Sequence, residues 1–241
     1  MNSTSLLIQN ANVYTADPLN PRAQAVMVQG NRITLVGNDA EARHQCTSQT
    51  EVIDGKGCTL LPGLIDSHFH LLWGSLKLES LQLGSATDLP ELGALIQQYA
   101  TAHPEKSWIE GYQLRYTIIP SNHPLDRHFL DDLVPDRPLL IFAFDMHTAW
   151  ANTKALEMAK LLHGRNLPPG NEIVIDAQSS LATGELREPA AYDPIRELMP
   201  KPTAAEQRRL LKKGLILAAR HGITSVHNMD NKHNQIALYA D

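Results

Sequence analysis

From residue 64 onward, short apolar runs alternate with amphipathic stretches of helical period, and this alternation limits the fold more than any other feature. Leu64–Phe69, Trp108–Gln113, Leu139–Phe144 and Ile223–His227 have the length and residue types of strands. Asp88 with Glu91 three residues on forms a capping box, and Leu92, Leu95, Ile96 and Tyr99 make the apolar stripe of a helix ending near His103. Asn152 caps a second helix running to His163, with Gly164 as its stop. Thr203 and Glu206 open a third, which Gly222 ends after about His221. Strands alternating with helices predict an α/β fold whose parallel sheet is covered on both faces. Residues 161–187, with Pro168-Pro169-Gly170-Asn171 and Thr183-Gly184, read as a long irregular loop.

The first sixty residues have a different texture. Leu6–Val13, Ala25–Val28, Ile33–Val36, Glu51–Ile53 and Thr59–Leu61 are brief and β-prone, and Gly30-Asn31 and Asp54-Gly55-Lys56-Gly57 supply turn chemistry. The division expected is a small β-domain over residues 1–60 and a second domain over 61–241. A chain of 241 residues can bury a sizeable core without staples.

Net charge is −5, so no global field favours nucleic acid or an anionic membrane. The pairs Arg208-Arg209 and Lys212-Lys213 fall in a helical pattern and read as a solvated face. No apolar run approaches the roughly 20 residues of a membrane span, and residues 1–5 lack the marks of a signal peptide. Cys46 and Cys58 have no metal-type spacing and are too few for a disulfide framework, which fits a cytoplasmic protein.

Eleven histidines stand out, and their placement matters more than their number. In Pro62-Gly63-Leu64-Ile65-Asp66-Ser67-His68-Phe69-His70, regular strand alternation puts Asp66, His68 and His70 on one face. Two imidazoles at i and i+2 reach a single ion, and a carboxylate beside them orients a ligating ring. His68 and His70 are therefore the candidate metal ligands, with Asp66 as the orienting carboxylate. A bare His-x-His also suits two unrelated surface histidines. The metal reading gains from the pair's position at the carboxyl end of an apolar strand, where α/β sites form.

Leu61-Pro62-Gly63-Leu64-Ile65-Asp66-Ser67-His68-Phe69-His70-Leu71 resembles the first-strand signature of the amidohydrolase superfamily of metal-dependent hydrolases. Asp145-Met146-His147 with Trp150 and Asn152, Thr183-Gly184-Glu185-Leu186-Arg187-Glu188, and Gly222-Ile223-Thr224-Ser225-Val226-His227 are similar to its amidohydrolase-3 (YtcJ-like) branch. The resemblance implies a (β/α)8 TIM-type barrel carrying a small β-sandwich. It implies one or two divalent metals, usually zinc, and a metal-activated water that attacks an amide or related carbon–nitrogen bond of a small molecule. His68 and His70 match the family's first-strand ligands.

A barrel of this class takes typically ~250 residues, and only about four strands follow residue 60. The resemblance places a lysine, two histidines and a general-base aspartate beyond the strand that ends at His227, so the catalytic base is not assigned. The expectation is a partial barrel preceded by the small β-sandwich. Its activity is either that of a hydrolase completed elsewhere or that of a non-catalytic remnant, prone to self-association through an unpaired barrel edge.

Four further residues are substrate-pocket candidates. His147 fits a substrate contact or a structural cap, beside Met146 where the family has glycine. Tyr112 is a pocket-wall candidate, although the family usually has tryptophan there. Glu188 fits a site role or an ion pair with Arg187 or Arg196, and His227 ends a strand pattern as His70 does. Trp150 reads as packing. Asn228 stands where relatives often carry aspartate. His44, His103, His123, His128, His163, His221 and His233 read as loop or helix-end residues, not ligands.

Overall fold

In the computed structural model the described residues are 5–120, 125–230 and 235–240. The expectations made for residues 1–4, His123 and His233 lie outside them. The chain divides into two compact units, residues 1–69 with 217–228 and residues 70–216 with 229–241.

The first unit begins with β1 (Ser5–Gln9), β2 (Asn12–Tyr14), β3 (Arg22–Ala23), β4 (Ala25–Gln29) and β5 (Arg32–Gly37). It continues through α1 (Asp39–His44), β6 (Thr50–Asp54), β7 (Thr59–Leu60) and β8 (Leu64–Phe69). The strand expected over Leu6–Val13 is two strands. Asn10 sits in the left-handed region at φ 52° and its amide side chain donates to Asp54 Oδ1 at 2.8 Å, turning the chain between β1 and β2. One sheet has the order β5-β4-β1-β6 and a second β3-β2-β7. Leu7, Ala25 and Ala42 form one small core, and Ala11, Val13 and Val26 another.

β8 belongs to neither sheet. It pairs in parallel with residues Ile223–Asn228, leaving Leu64 and Ile65 exposed. Gly63 lies where a Cβ would run into Thr224, so only glycine lets the strands approach this closely. The register carries Val226 opposite Asp66 but Asn228 opposite Phe69. Three steps on β8 match two on its partner, a bulge that breaks regular alternation at Ser67-His68.

The second unit runs through α2 (Leu71–Leu76), β9 (Leu81–Gln82), α3 (Leu89–Ala102), β10 (Ile109–Leu114), α4 (Arg127–Leu133), β11 (Leu139–Ala143) and β12 (Thr148–Ala151). Next come α5 (Thr153–Met158), β13 (Glu172–Ile175), β14 (Ala182–Arg187), α6 (Pro189–Leu198) and α7 (Ala204–Arg220), whose last turn falls in the first unit. β15 (Ile223–Asn228) is the partner of β8 already described, and α8 (Gln235–Ala240) closes the described chain.

Six strands form one sheet in the order β13-β14-β12-β11-β10-β9. β9, β10 and β11 are parallel, whereas β12, β14 and β13 add on antiparallel, so the expected all-parallel sheet is mixed. The segment read as an irregular loop holds β13 and β14. Its hairpin is tied by Asp176, whose carboxylate accepts from the Ser179 amide at 2.7 Å. In β14, Gly184 takes φ 109° with the Ala151 carbonyl 2.7 Å from where a Cβ would stand, which explains the glycine of that motif.

β11 is buried along its whole length because both of its faces are covered. Leu139, Ile141 and Ala143 pack with Leu92, Ile96 and Leu130 of α3 and α4. Leu140 and Phe142 point the other way, against Leu156, Tyr192 and Ile195 of α5 and α6.

The predicted caps form. Asp88 accepts from the Glu91 amide at 2.8 Å, although the expected box is not reciprocal because the Glu91 carboxylate takes the Thr87 amide at 2.9 Å. Asn152 accepts from the Ala155 amide at 3.0 Å. The Asn152 helix stops a turn before Gly164, because Lys160 turns left-handed at φ 57° and the Leu161 amide closes on the Leu156 carbonyl at 2.8 Å. The basic stretch on α7 is not wholly a solvated face. Arg209 and Lys213 both bind Glu79, and the two bonds, Arg209's first, hold its carboxyl down to about 2.

Asn152 does more than cap. Its Oδ1 also accepts from the Leu139 amide at 3.0 Å, and its Nδ2 donates to the carbonyls of Val134 and Arg137 at 3.1 and 2.8 Å, all with the residue fully buried. Asn152→Ala strands those partners away from water and should lower unfolding stability by about 2–4 kcal/mol in urea denaturation.

Candidate functional site

His70 follows β8 and stands at the start of α2, the first residue of the second unit. Its Nδ1 lies 3.0 Å from Oδ1 of Asp230, a carboxylate whose side chain is only 4% exposed. The other oxygen of Asp230 accepts the amides of Leu72 and Trp73 at 2.8 and 3.1 Å. One carboxylate thus fixes an imidazole and occupies two of the unpaired donors that open a helix. A carboxylate can only accept, so the proton of this bond is on Nδ1. A carboxylate behind the Nδ1–H is the arrangement that commonly backs and orients metal-binding histidines.

Asp66, expected to orient a ring, has Oδ1 accepting the His68 backbone amide at 2.9 Å. The bond runs to its own chain two residues on, as short acidic side chains favour. The carboxylate that stands against a ring nitrogen of His70 is Asp230's. Sequence reading missed it, although a carboxylate stood two residues past Asn228, close to where one was looked for. His68 is exposed on β8 in the first unit, beside the bulge. His227 is exposed on β15, across from the Ser67-His68 step of that register.

The other candidates lie in the second unit, and two of them meet. The antiparallel register sets Thr148 opposite Arg187, so the next residues outward, His147 and Glu188, face each other. The Glu188 amide donates to the His147 carbonyl at 2.8 Å, and His147 Nδ1 stands 3.1 and 3.2 Å from the Glu188 oxygens. Glu188 holds φ 67° and ψ 159°, a region otherwise almost confined to glycine, at a cost on the order of 1–3 kcal/mol. Met146, before His147, is also left-handed at φ 66°. Asp145 accepts the His147 amide and the Tyr116 hydroxyl, both at 3.1 Å, and Tyr192 donates to the Met146 carbonyl at 2.8 Å.

The ion pairs considered for Glu188 form elsewhere. Arg187 binds Glu172 and Glu185, and Arg196 binds Asp193. Tyr112 is buried and stacked on Phe142, its phenol pushed up chiefly by burial. Trp150 packs in the core. His44, His103, His128, His163 and His221 lie at or near helix ends or in turns, and His103 stacks on Tyr99.

Among the described residues, no group of three or more His, Cys, Asp or Glu side chains is placed to hold a metal ion. A catalytic zinc takes three protein ligands and an open position, so the described donors do not by themselves close such a site.

The family model of the amidohydrolase family matches residues 51–241. The chain belongs to the amidohydrolase family. It is 34% identical over 188 residues to an N-substituted formamide deformylase of Arthrobacter pascens, a match covering 77% of this chain and 34% of that protein. It is 27% identical to the YtcJ protein of Bacillus subtilis (strain 168), covering 90% of this chain and 41% of that one. A metal-dependent hydrolase of Pyrococcus horikoshii OT3 shares the fold, with a TM-score of 0.67 at 20% identity over 98% of this chain and 45% of its own. The chain therefore spans less than half the length of these relatives. No helix among the described residues is long and apolar enough to cross a membrane.

Glu188 raises the pKa of His147 above the usual imidazole value, mainly through the hydrogen bond and then through its charge. The pair's contribution is complete below the ordinary histidine pKa and fades as pH rises through the raised one. Glu188→Gln should return the His147 titration, followed by NMR of its ring protons, downward toward the free imidazole value.

Proposed function

We propose that the protein hydrolyses a carbon–nitrogen bond of an amide-type small molecule, with His68 and His70 among the ligands of a divalent metal, zinc by our reading. The observation that carries this is the buried Asp230 carboxylate behind His70, which sets the ring's tautomer and orientation as the partners of metal-bound histidines do. A divalent ion bound there would supply an activated water. The remaining ligands and the general base lie outside the described residues in this proposal. Similarity to an N-substituted formamide deformylase supports N-formyl and N-acyl amines as the first substrates to try.

On the same reading β8 and β15 are strands of a partial (β/α)8 barrel, and the sheets of the first sixty residues belong to a small β-sandwich. Their parallel pairing and the exposure of Leu64 and Ile65 support it, since further barrel elements would cover those side chains. The boundary we propose lies between residues 60 and 61. Left uncovered, the same edge offers a route to self-association. Tyr112, His147, Glu188 and His227 are proposed as pocket residues. Two free cysteines, Cys46 and Cys58, support a reducing, cytoplasmic setting.

The test is zinc content and hydrolysis of a panel of N-formyl and N-acyl amines by the protein as its gene encodes it. Activity should require metal and be lost in His68→Ala and His70→Ala. Asp230→Asn should weaken metal affinity or activity roughly 10–100-fold. Protein that neither binds zinc nor hydrolyses any of the panel would favour the non-catalytic reading instead.

A further inference from the structure

Among the described residues, one ammonium of the second unit lies between aromatic rings and makes no ion pair. Lys77 follows α2, and its Nζ lies 3.5 Å from the ring centroid of Trp73 and 4.2 Å from that of Tyr112. Its hydrogen-bond acceptor among the described residues is the sulfur of Met146 at 3.6 Å. A thioether is a weak acceptor, and an ammonium has three N–H groups to place. The two ring faces attract the charge but accept little of the donor capacity. A partly desolvated cation with unmet donors is costly by itself and becomes favourable when an anion completes it.

The surroundings are fixed rather than loose. Tyr112 stacks on Phe142, which meets Tyr192 edge-on, and the Tyr192 hydroxyl holds the Met146 backbone. Trp73 lies edge-on to His70 with ring centroids 5.2 Å apart, so the amine stands one indole away from the proposed metal ligand. The other charges that act on it are Glu110, on the strand that carries Tyr112, and Arg196, whose guanidinium lies over Phe142. Glu110 favours the ammonium and Arg196 opposes it, and neither makes an ion pair or hydrogen bond with it among the described residues.

We propose that Lys77, walled by Trp73 and Tyr112, binds the carboxylate of the substrate, so that the molecule acted on is an amide that also carries a carboxylate and a flat or apolar portion. The ammonium would make charge-assisted hydrogen bonds to the carboxylate, and Trp73, the less buried of the two rings, would take the apolar part. The choice of substrate class rests on the hydrolase reading, but the binding step does not, and the experiment separates them.

Benzoate and its uncharged isostere benzamide are titrated into metal-free protein by calorimetry. Benzoate should bind saturably and at least about tenfold tighter than benzamide. Its affinity should fall as pH rises through the lysine's own pKa, which burial brings down to about 8. Lys77→Met should lose that preference and Lys77→Arg should keep most of it, with circular dichroism confirming that both fold. Equal binding of the two probes, no benzoate binding at all, or a Lys77→Met variant that binds benzoate as well as the unaltered protein would each overturn the proposal. Benzoate binding that survives in a protein without hydrolase activity would leave the site standing and refute only the reaction.

Discussion

The Asp230 carboxylate is the joint on which the candidate site depends. With one oxygen it sets the proton on His70, and with the other it receives the first amides of α2. A helix start and a buried carboxylate are complementary in charge, so the interaction that orders α2 also orients the ring. α2 in turn carries Trp73 against His70 and leads into Lys77, which lies over Trp73. The imidazole, the indole and the amine are thus positioned by one short segment whose beginning is tied down across 160 residues of sequence.

The second unit fixes its own loops by a different means. β11 has no solvent face, so its backbone is held by packing from both sides, and the chain that leaves it must turn within a few residues. Met146 makes that turn in a left-handed conformation, and Glu188 pairs with the next residue from a backbone region that costs energy to occupy. Strain of this kind persists where the surrounding ladder over-determines it. The β12–β14 register and the Tyr192 bond supply that determination. The backbone that brings His147 and Glu188 together is therefore fixed, although their side chains meet at the surface.

What could be read from the sequence was local. Asp88 and Asn152 announce helix starts because an N-cap needs only its own side chain and an amide two or three residues on. Leu139–Phe144 announces a doubly covered strand because apolar residues without alternation have no water-facing side. The partners of those elements were not legible. The antiparallel additions β12, β14 and β13 depend on pairings that no single segment encodes, and β13 and β14 sit in a stretch whose prolines and glycines suggested a loop. The face-sharing of Asp66 and His68 assumed perfect alternation, which the bulge in β8 interrupts. Asp230 lay outside any motif, since its role comes from a residue far back in the chain. The family itself was legible, because a row of short motifs in the right order needs no knowledge of their contacts.

The most direct measurement of this account is the protonation of His70 by long-range ¹H–¹⁵N correlation NMR near neutral pH. The Asp230 bond predicts a proton on Nδ1 held toward the carboxylate, and Asp230→Asn should disturb that pattern. A ring found with its proton on Nε2, unchanged by the substitution, would contradict the carboxylate-backed histidine on which the functional reading stands.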